Sequence, residues 1–130
     1  MATEYNVGML VYSSVSLFDA EVQDAVYVFA ALQSGIGRFY PEAVFIETTD
    51  LEALASAGVV SIGTNHPDYD NILVNVEIPP SSTIDQLRVI QISGLVPSLD
   101  EGALVKVRIR VPTVAGEHLF KAGIAGYHAG

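Results

Sequence analysis

Residues Ala103 to Val111, which read ALVKVRIRV, carry the clearest structural signal in the chain. Successive side chains of a β-strand point to opposite faces of its sheet. In that geometry one face of the segment carries Val105, Val107, Ile109 and Val111. The other face carries Lys106, Arg108 and Arg110, which are half of the six Lys and Arg residues in the protein. We call these three residues the basic stripe.

The basic stripe has two interpretations. In the first, its residues are ordinary solvated positions on an edge strand, where charges prevent unwanted pairing. In the second, the three residues face a partner. Like charges about 7 Å apart along a strand repel one another unless nearby carboxylates neutralise them. The chain has 15 Asp and Glu residues, so a second copy could supply those carboxylates. The candidate residues of an oligomer interface are therefore Arg88, Lys106, Arg108 and Arg110.

Several other segments have the length and composition of strands. They are Tyr5 to Tyr12, Ala43 to Thr48, Val59 to Ile62, Ile72 to Ile78 and Leu87 to Ser93. Residues that favour turns separate the later segments, at 65–68, 79–82 and 97–100. Turns recur every 10 to 15 residues or so, which leaves too little chain for a crossover helix between most of these strands. This spacing predicts antiparallel pairing.

The first half of the chain predicts helix as well. Ser16 and Asp19 have the spacing of a capping motif, and apolar residues then recur at helical spacing over 19–33. A second, short helix is expected at about 51–57. The predicted fold class is therefore α+β, with a largely antiparallel sheet of about six to seven strands packed against one main helix.

The chain has the size of one domain. It contains 130 residues, half of them hydrophobic, and we expect residues 1–116 to form a single compact domain. Residues 117–130 are expected to form a flexible or partner-ordered C-terminal arm. Met1 to Asn6 contain no Lys or Arg, so no secretory signal is predicted, and no apolar run is long enough to span a membrane. These features predict a soluble protein made inside the cell and able to join a particle.

Composition excludes several kinds of chemistry. A net charge of -9 disfavours nucleic-acid binding through overall charge, and the absence of cysteine excludes a thiolate nucleophile. No hydrolase elbow or phosphate-binding loop is found, so neither enzymatic activity nor a cofactor is expected. His66, Asp68 and Asp70 lie close together in one turn, where they could bind a cation. An Asx-type turn explains the same residues more simply, and no metal site is assigned.

The opening of the chain is similar to a known superfamily. Val7 to Tyr12, Val15 to Asp19 and Val28-Phe29 resemble the first strand, turn and helix of the ThiJ/PfpI (class I amidotransferase-like) superfamily, over about 25 residues. The resemblance implies a parallel sheet with helices on both faces. The superfamily's Pro-Gly-Gly turn corresponds to 78–81 here, and its cysteine-bearing elbow to 113–116, which has no cysteine. The resemblance therefore implies an inactive, truncated relative.

The sequence leaves three functional classes to compare. The leading one is a non-enzymatic structural or assembly protein that forms a homo-oligomer, as a ring, tube or shell component of a virion or other particle. Its partners would be further copies or other subunits of the same particle. The first alternative is the degenerate ThiJ/PfpI-like protein. The second is a small-ligand-binding module, which would contain a deep apolar pocket.

Overall fold

A computed structural model describes residues 10–13, 18–20, 22–48, 58–78, 86–92, 98–112 and 119–129. These residues form nine β-strands and, in these ranges, no helix. The strands are β1 (Leu10–Ser13), β2 (Phe18–Asp19), β3 (Val26–Ala31), β4 (Arg38–Thr48), β5 (Val59–Gly63), β6 (Leu73–Glu77), β7 (Gln86–Gln91), β8 (Leu104–Val111) and β9 (Leu119–Ala129).

The strands form two antiparallel sheets. The five-stranded sheet has the order β1-β9-β4-β7, and β2 also pairs with β9 beyond the end of β1. The four-stranded sheet has the order β3-β8-β5-β6. From β2 onward, every connection except β5 to β6 passes from one sheet to the other. Apart from β5 and β6, strands that pair within a sheet are therefore distant in sequence.

One hydrophobic core lies between the two sheets. The five-stranded sheet contributes Val44, Ile46, Phe120 and Ile124, and the four-stranded sheet contributes Val60, Ile62, Val105, Val107 and Ile109, all of them fully buried. Burying one such side chain contributes about 1.5–3 kcal/mol. Because each sheet buries only one face, its strands alternate between core and surface residues, as in a β-sandwich.

The predicted α+β class is wrong, and so is the helix over 19–33. Residues 18–19 and 26–31 are strands, and Asp24 between them has a φ of 65°, outside the right-handed helical region. Val22 and Val26, two of the apolar residues at helical spacing, are exposed rather than buried on a helix face. Long-range pairing with β8 and the β-branched composition of this segment outweigh the local helical spacing. The short helix at 51–57 lies outside the described residues.

The C-terminal segment also differs from the prediction. Within 117–130, where an arm is predicted, Leu119–Ala129 form β9, which lies between β1 and β4 in the five-stranded sheet. Phe120 and Ile124 of this strand are fully buried in the core. The antiparallel sheets likewise contradict the parallel arrangement with helices on both faces that the ThiJ/PfpI resemblance implies.

The strand predictions from residue 43 onward are confirmed with small changes of boundary, while residues 5–9 of the strand predicted at Tyr5 to Tyr12 lie outside the described residues. β5, β6, β7 and β8 match the segments predicted from alternation, and β4 extends the predicted strand toward its start at Arg38. Antiparallel pairing is confirmed throughout both sheets. No helix among the described residues is long and apolar enough to cross a membrane.

Candidate assembly surface

The basic stripe lies on the outer face of the four-stranded sheet. Lys106, Arg108 and Arg110 are partly exposed, while Val105, Val107 and Ile109 point into the core, so the predicted alternation is correct. Val111 departs from it, because this side chain is 48% exposed at the end of the strand. β8 is an interior strand between β3 and β5. The stripe therefore does not occupy an edge strand.

Two carboxylates of the same chain neutralise the middle residue of the stripe. Arg108 Nη2 donates to Asp24 Oδ1 at 2.8 Å, and Arg108 Nη1 lies 3.6 Å from Asp68 Oδ1. The Arg108 side chain is 22% exposed, whereas the two aspartates are about 60% exposed. Pairs that remain this open to water contribute about 0.2–1 kcal/mol each. The charge of Arg108 is thus neutralised by carboxylates of its own chain, without a second copy of the protein.

The loop between β5 and β6 folds over one side of this face. Asn65 Oδ1 accepts hydrogen bonds from the backbone N–H groups of Asp70 and Asn71, five and six residues later. These bonds close the loop across its width and are not the two-residue Asx turn that the sequence suggests. A Cβ atom at Gly63 would overlap Asn71 and the backbone of the loop, so only glycine allows this close approach. The loop therefore packs directly on β5.

The same loop holds the first residue of the basic stripe. Tyr69 is 7% exposed, and Lys106 Nζ lies 4.9 Å from the centroid of its ring and 3.4 Å from its hydroxyl. A cation over an aromatic face at this distance is favourable. Arg110 has no ion pair with any residue that the structure describes. Lys106 likewise has no carboxylate partner among the described residues, so Arg108 is the one member of the stripe that is paired with carboxylates there.

The stripe borders exposed apolar residues on the neighbouring strand. Val26 is in register with Arg108, and Val28 with Lys106. These valines are 39% and 47% exposed, on the edge strand of the four-stranded sheet. The outer face of this sheet therefore combines positive charge with apolar area.

The fourth candidate residue does not belong to this surface. Arg88 lies on β7, in register with Ile46 of β4, in the five-stranded sheet. The structure thus brings Lys106, Arg108 and Arg110 together and places Arg88 in the other sheet.

The His66, Asp68 and Asp70 turn makes internal contacts. Asp70 Oδ1 accepts a hydrogen bond from Asn65 Nδ2, Asp68 faces Arg108, and the His66 ring lies edge-on to Tyr69. Among the described residues, no three His, Asp or Glu side chains converge as metal ligands would.

A second exposed surface, which the sequence reasoning missed, lies on the outer side of the five-stranded sheet. We call it the apolar face. Val11, Tyr40, Val89 and Tyr127 are exposed there, Phe45 is partly exposed, and the small side chains of Ala43 and Ala125 lie buried between them. Val11 and Val89 are 58% and 54% exposed, which is high for valine on a regular strand. The sequence of β9 carries no clear signal for it, because the residues between Phe120, Ala122 and Ile124 are a charged Lys121 and the small, buried Gly123 and Ala125.

A shallow depression lies at one end of the apolar face. It has a volume of about 230 Å³ and is lined by Val11, Ser13, Phe45, Glu47, Lys121 and Ala122. Next to it the Phe45 ring lies against Gly123, where any Cβ atom would overlap the ring. Pockets that enclose small ligands usually measure about 300–1,000 Å³. This depression is smaller and open, so it has the form of a contact surface rather than an enclosed ligand site.

A buried polar cluster links the two ends of the chain. His128 is 1% exposed, and its Nδ1 donates to the carbonyl of Gly37 at 3.0 Å. Its Nε2 therefore accepts from the Tyr12 hydroxyl at 2.7 Å, and that hydroxyl accepts from the backbone N–H of Gln33 at 3.1 Å. All of these groups are satisfied, as buried polar groups must be. The cluster is structural and fixes β1 against β9.

The order of the strands defines the class of fold. Two antiparallel sheets with the orders β1-β9-β4-β7 and β3-β8-β5-β6, joined by connections that cross between them, form a jelly roll. A chain in a solved structure described as "Cyanophage Pam1 capsid asymmetric unit" has the same fold, with a TM-score of 0.65 and 14% sequence identity. The match covers 98% of this chain and 91% of that chain. No protein-family model and no curated protein matches the sequence.

Proposed function

We propose that this protein is a structural subunit of a virion, which packs against further copies of itself or against other subunits of the same particle. The observation that carries the proposal is the match to a chain of a capsid asymmetric unit over nearly the whole length of both chains. Jelly rolls serve several functions, so the fold alone does not decide among them. The surfaces supply the second line of support.

Both outer faces of the sandwich suit a protein that has several neighbours. Val26 and Val28 are exposed beside the basic stripe, and Val11 and Val89 are exposed on the apolar face. A subunit in a closed particle is contacted on more than one side. Exposed apolar residues on two opposite faces are compatible with such contacts, since apolar surface patches commonly mark interaction sites.

The basic stripe has a narrower role in this proposal than its sequence pattern suggests. Arg108 is already paired with Asp24 and Asp68, so Arg110 is the best placed to meet a neighbour's carboxylate. With a net charge of -9, a neighbouring copy has acidic residues to offer. A charge pair at the border of an apolar contact sets the relative orientation of two subunits more than it adds affinity.

The particle role is tested on virions purified from the natural source of the protein. Quantitative mass spectrometry should find the chain in a fixed ratio to the shell protein, and the ratio should survive washing in 0.5 M NaCl. If the chain is missing from purified virions, or if its ratio varies between preparations, the proposal is wrong.

The role of Arg110 is tested by two matched substitutions. Arg110→Glu should shift the mass measured by light scattering toward the monomer at 50 mM NaCl, while Arg110→Lys should not. The effect should shrink at 0.5 M NaCl, because exposed charges are then largely screened. If both variants have the same mass at low salt, Arg110 does not contribute to an interface between subunits.

A further inference from the structure

The apolar face is unusual for so acidic a protein. The chain carries nine more negative than positive charges, and this excess makes two copies repel each other at most orientations. The centre of the apolar face, between Val11 on β1 and Val89 on β7, consists of uncharged side chains. Association through this surface avoids much of the repulsion.

One end of the face carries a balanced pair of charges. Glu47 on β4 and Lys121 on β9 are directly in register, and both line the shallow depression. Neither of them forms an ion pair with a residue that the structure describes. Opposite charges side by side are self-complementary: when a second copy is turned by a two-fold rotation, its Lys121 can meet Glu47 and its Glu47 can meet Lys121.

The shape of the face is complementary to itself as well. The depression lies over β1, β9 and β4, where Gly123 contributes no side chain. Val89, which is 54% exposed, projects from β7 on the other side of β4 and is in register with Phe45. A two-fold rotation places the projecting valine of each copy toward the depression of the other.

From these features we infer that two copies of this chain bind each other face to face through their apolar faces, with Glu47 and Lys121 exchanged between the copies. The face and its charged end span residues 40–47 of β4, about 26 Å along the strands and about 17 Å across four strands, or at most roughly 440 Å² per copy. Stable complexes usually bury about 800 Å² per partner. The dimer is therefore a weak one, which repeated contacts in a particle would reinforce. The inference rests on the apolar face and not on the fold comparison.

The first test compares valines of equal exposure on different sheets. Val89→Glu adds a charge to the apolar face, and Val74→Glu adds the same charge to β6, where Val74 is 55% exposed. In sedimentation velocity up to about 1 mM protein, the wild type should dimerise. The dissociation constant should rise at least about tenfold for Val89→Glu and less than about twofold for Val74→Glu. A wild type that stays monomeric, or equal effects of the two variants, would overturn the inference.

The second test separates contacts between copies from contacts within one copy. Glu47→Lys and Lys121→Glu each place two like charges at the end of the face, so each variant alone should dimerise less than the wild type. An equimolar mixture should form heterodimers, because the charges then match across the interface while remaining mismatched within each chain. A mixture that stays monomeric would refute the charge exchange. Neither test depends on whether purified virions contain the protein, so this inference and the proposed function can fail separately.

Discussion

Replacing Arg108 with Gln measures how much the basic stripe depends on carboxylates of its own chain. The substitution removes two contacts, the 2.8 Å hydrogen bond to Asp24 and the 3.6 Å ion pair with Asp68. Each is worth about 0.2–1 kcal/mol at this exposure, so the free energy of unfolding should fall by about 0.4–2 kcal/mol. With an m-value of about 2 kcal/mol/M for urea, the midpoint should fall by about 0.2–1 M.

Arg110→Gln is the matched control. It removes the same charge from the same strand, but Arg110 has no ion pair in the part of the chain that the structure describes. Its free energy of unfolding should therefore change by less than about 0.5 kcal/mol. Any general effect of making the protein more negative is common to both variants, so their difference isolates the two contacts.

The assay is urea denaturation followed by tyrosine fluorescence, since the chain has six Tyr and no Trp. It is run at 50 mM and at 1 M NaCl, where the Debye length is about 3 Å and exposed pairs are strongly screened. The difference between the variants should fall by about half or more at high salt. Equal losses at low salt, or a difference that high salt leaves intact, would refute the assignment of Arg108 to Asp24 and Asp68.

Three further outcomes are expected. Tyr12→Phe should lower the free energy of unfolding by about 1–3 kcal/mol, because it leaves His128 Nε2 buried without a hydrogen-bond donor. Chemical denaturation measures this loss. An unchanged denaturation midpoint would contradict the hydrogen bond between Tyr12 and His128. Ile109→Ala should lower the free energy of unfolding by about 2–5 kcal/mol and Val28→Ala by less than about 1 kcal/mol in the same assay, since only Ile109 is buried. The reverse order would contradict the outward orientation of Val28 on β3. Burial raises the pKa of Tyr27 above its usual 10.0. The contribution of the neutral Tyr27 side chain to the free energy of unfolding is therefore complete below pH 10 and is lost as the pH rises through the raised pKa. Tyr27→Phe should therefore weaken the decline in stability above pH 10, and an identical decline in both proteins would show that Tyr27 contributes nothing to it.

Local alternation predicted the late strands well. β8 was predictable because its valines and charged residues follow the two-residue period without interruption, and that pattern has no helical counterpart. The early segment was not, because the apolar residues over 18–32 fit helical spacing while Val26, Tyr27 and Val28 also favour a strand. Pairing with β8, about 80 residues later, decides between them, and no local pattern contains that information.

The candidate surface shows the same division between local and distant information. The spacing of the three cations predicted the basic stripe. It could not predict which carboxylates pair with Arg108, because Asp24 is 84 residues away in sequence. The composition of β9 was misleading, since its glycines suggested an arm. Gly123 is required there for a different reason, because the Phe45 ring occupies the space that a side chain would fill.

The position of β9 also determines when the apolar face comes into existence during synthesis. Leu10 pairs with Gly126, so the five-stranded sheet cannot close until more than a hundred further residues have left the ribosome. Two of the strands that present the face, β4 and β9, meet only at that moment. A nascent or shortened chain therefore lacks the complete apolar face, and the dimer that we propose can form only after β9 has joined the sheet.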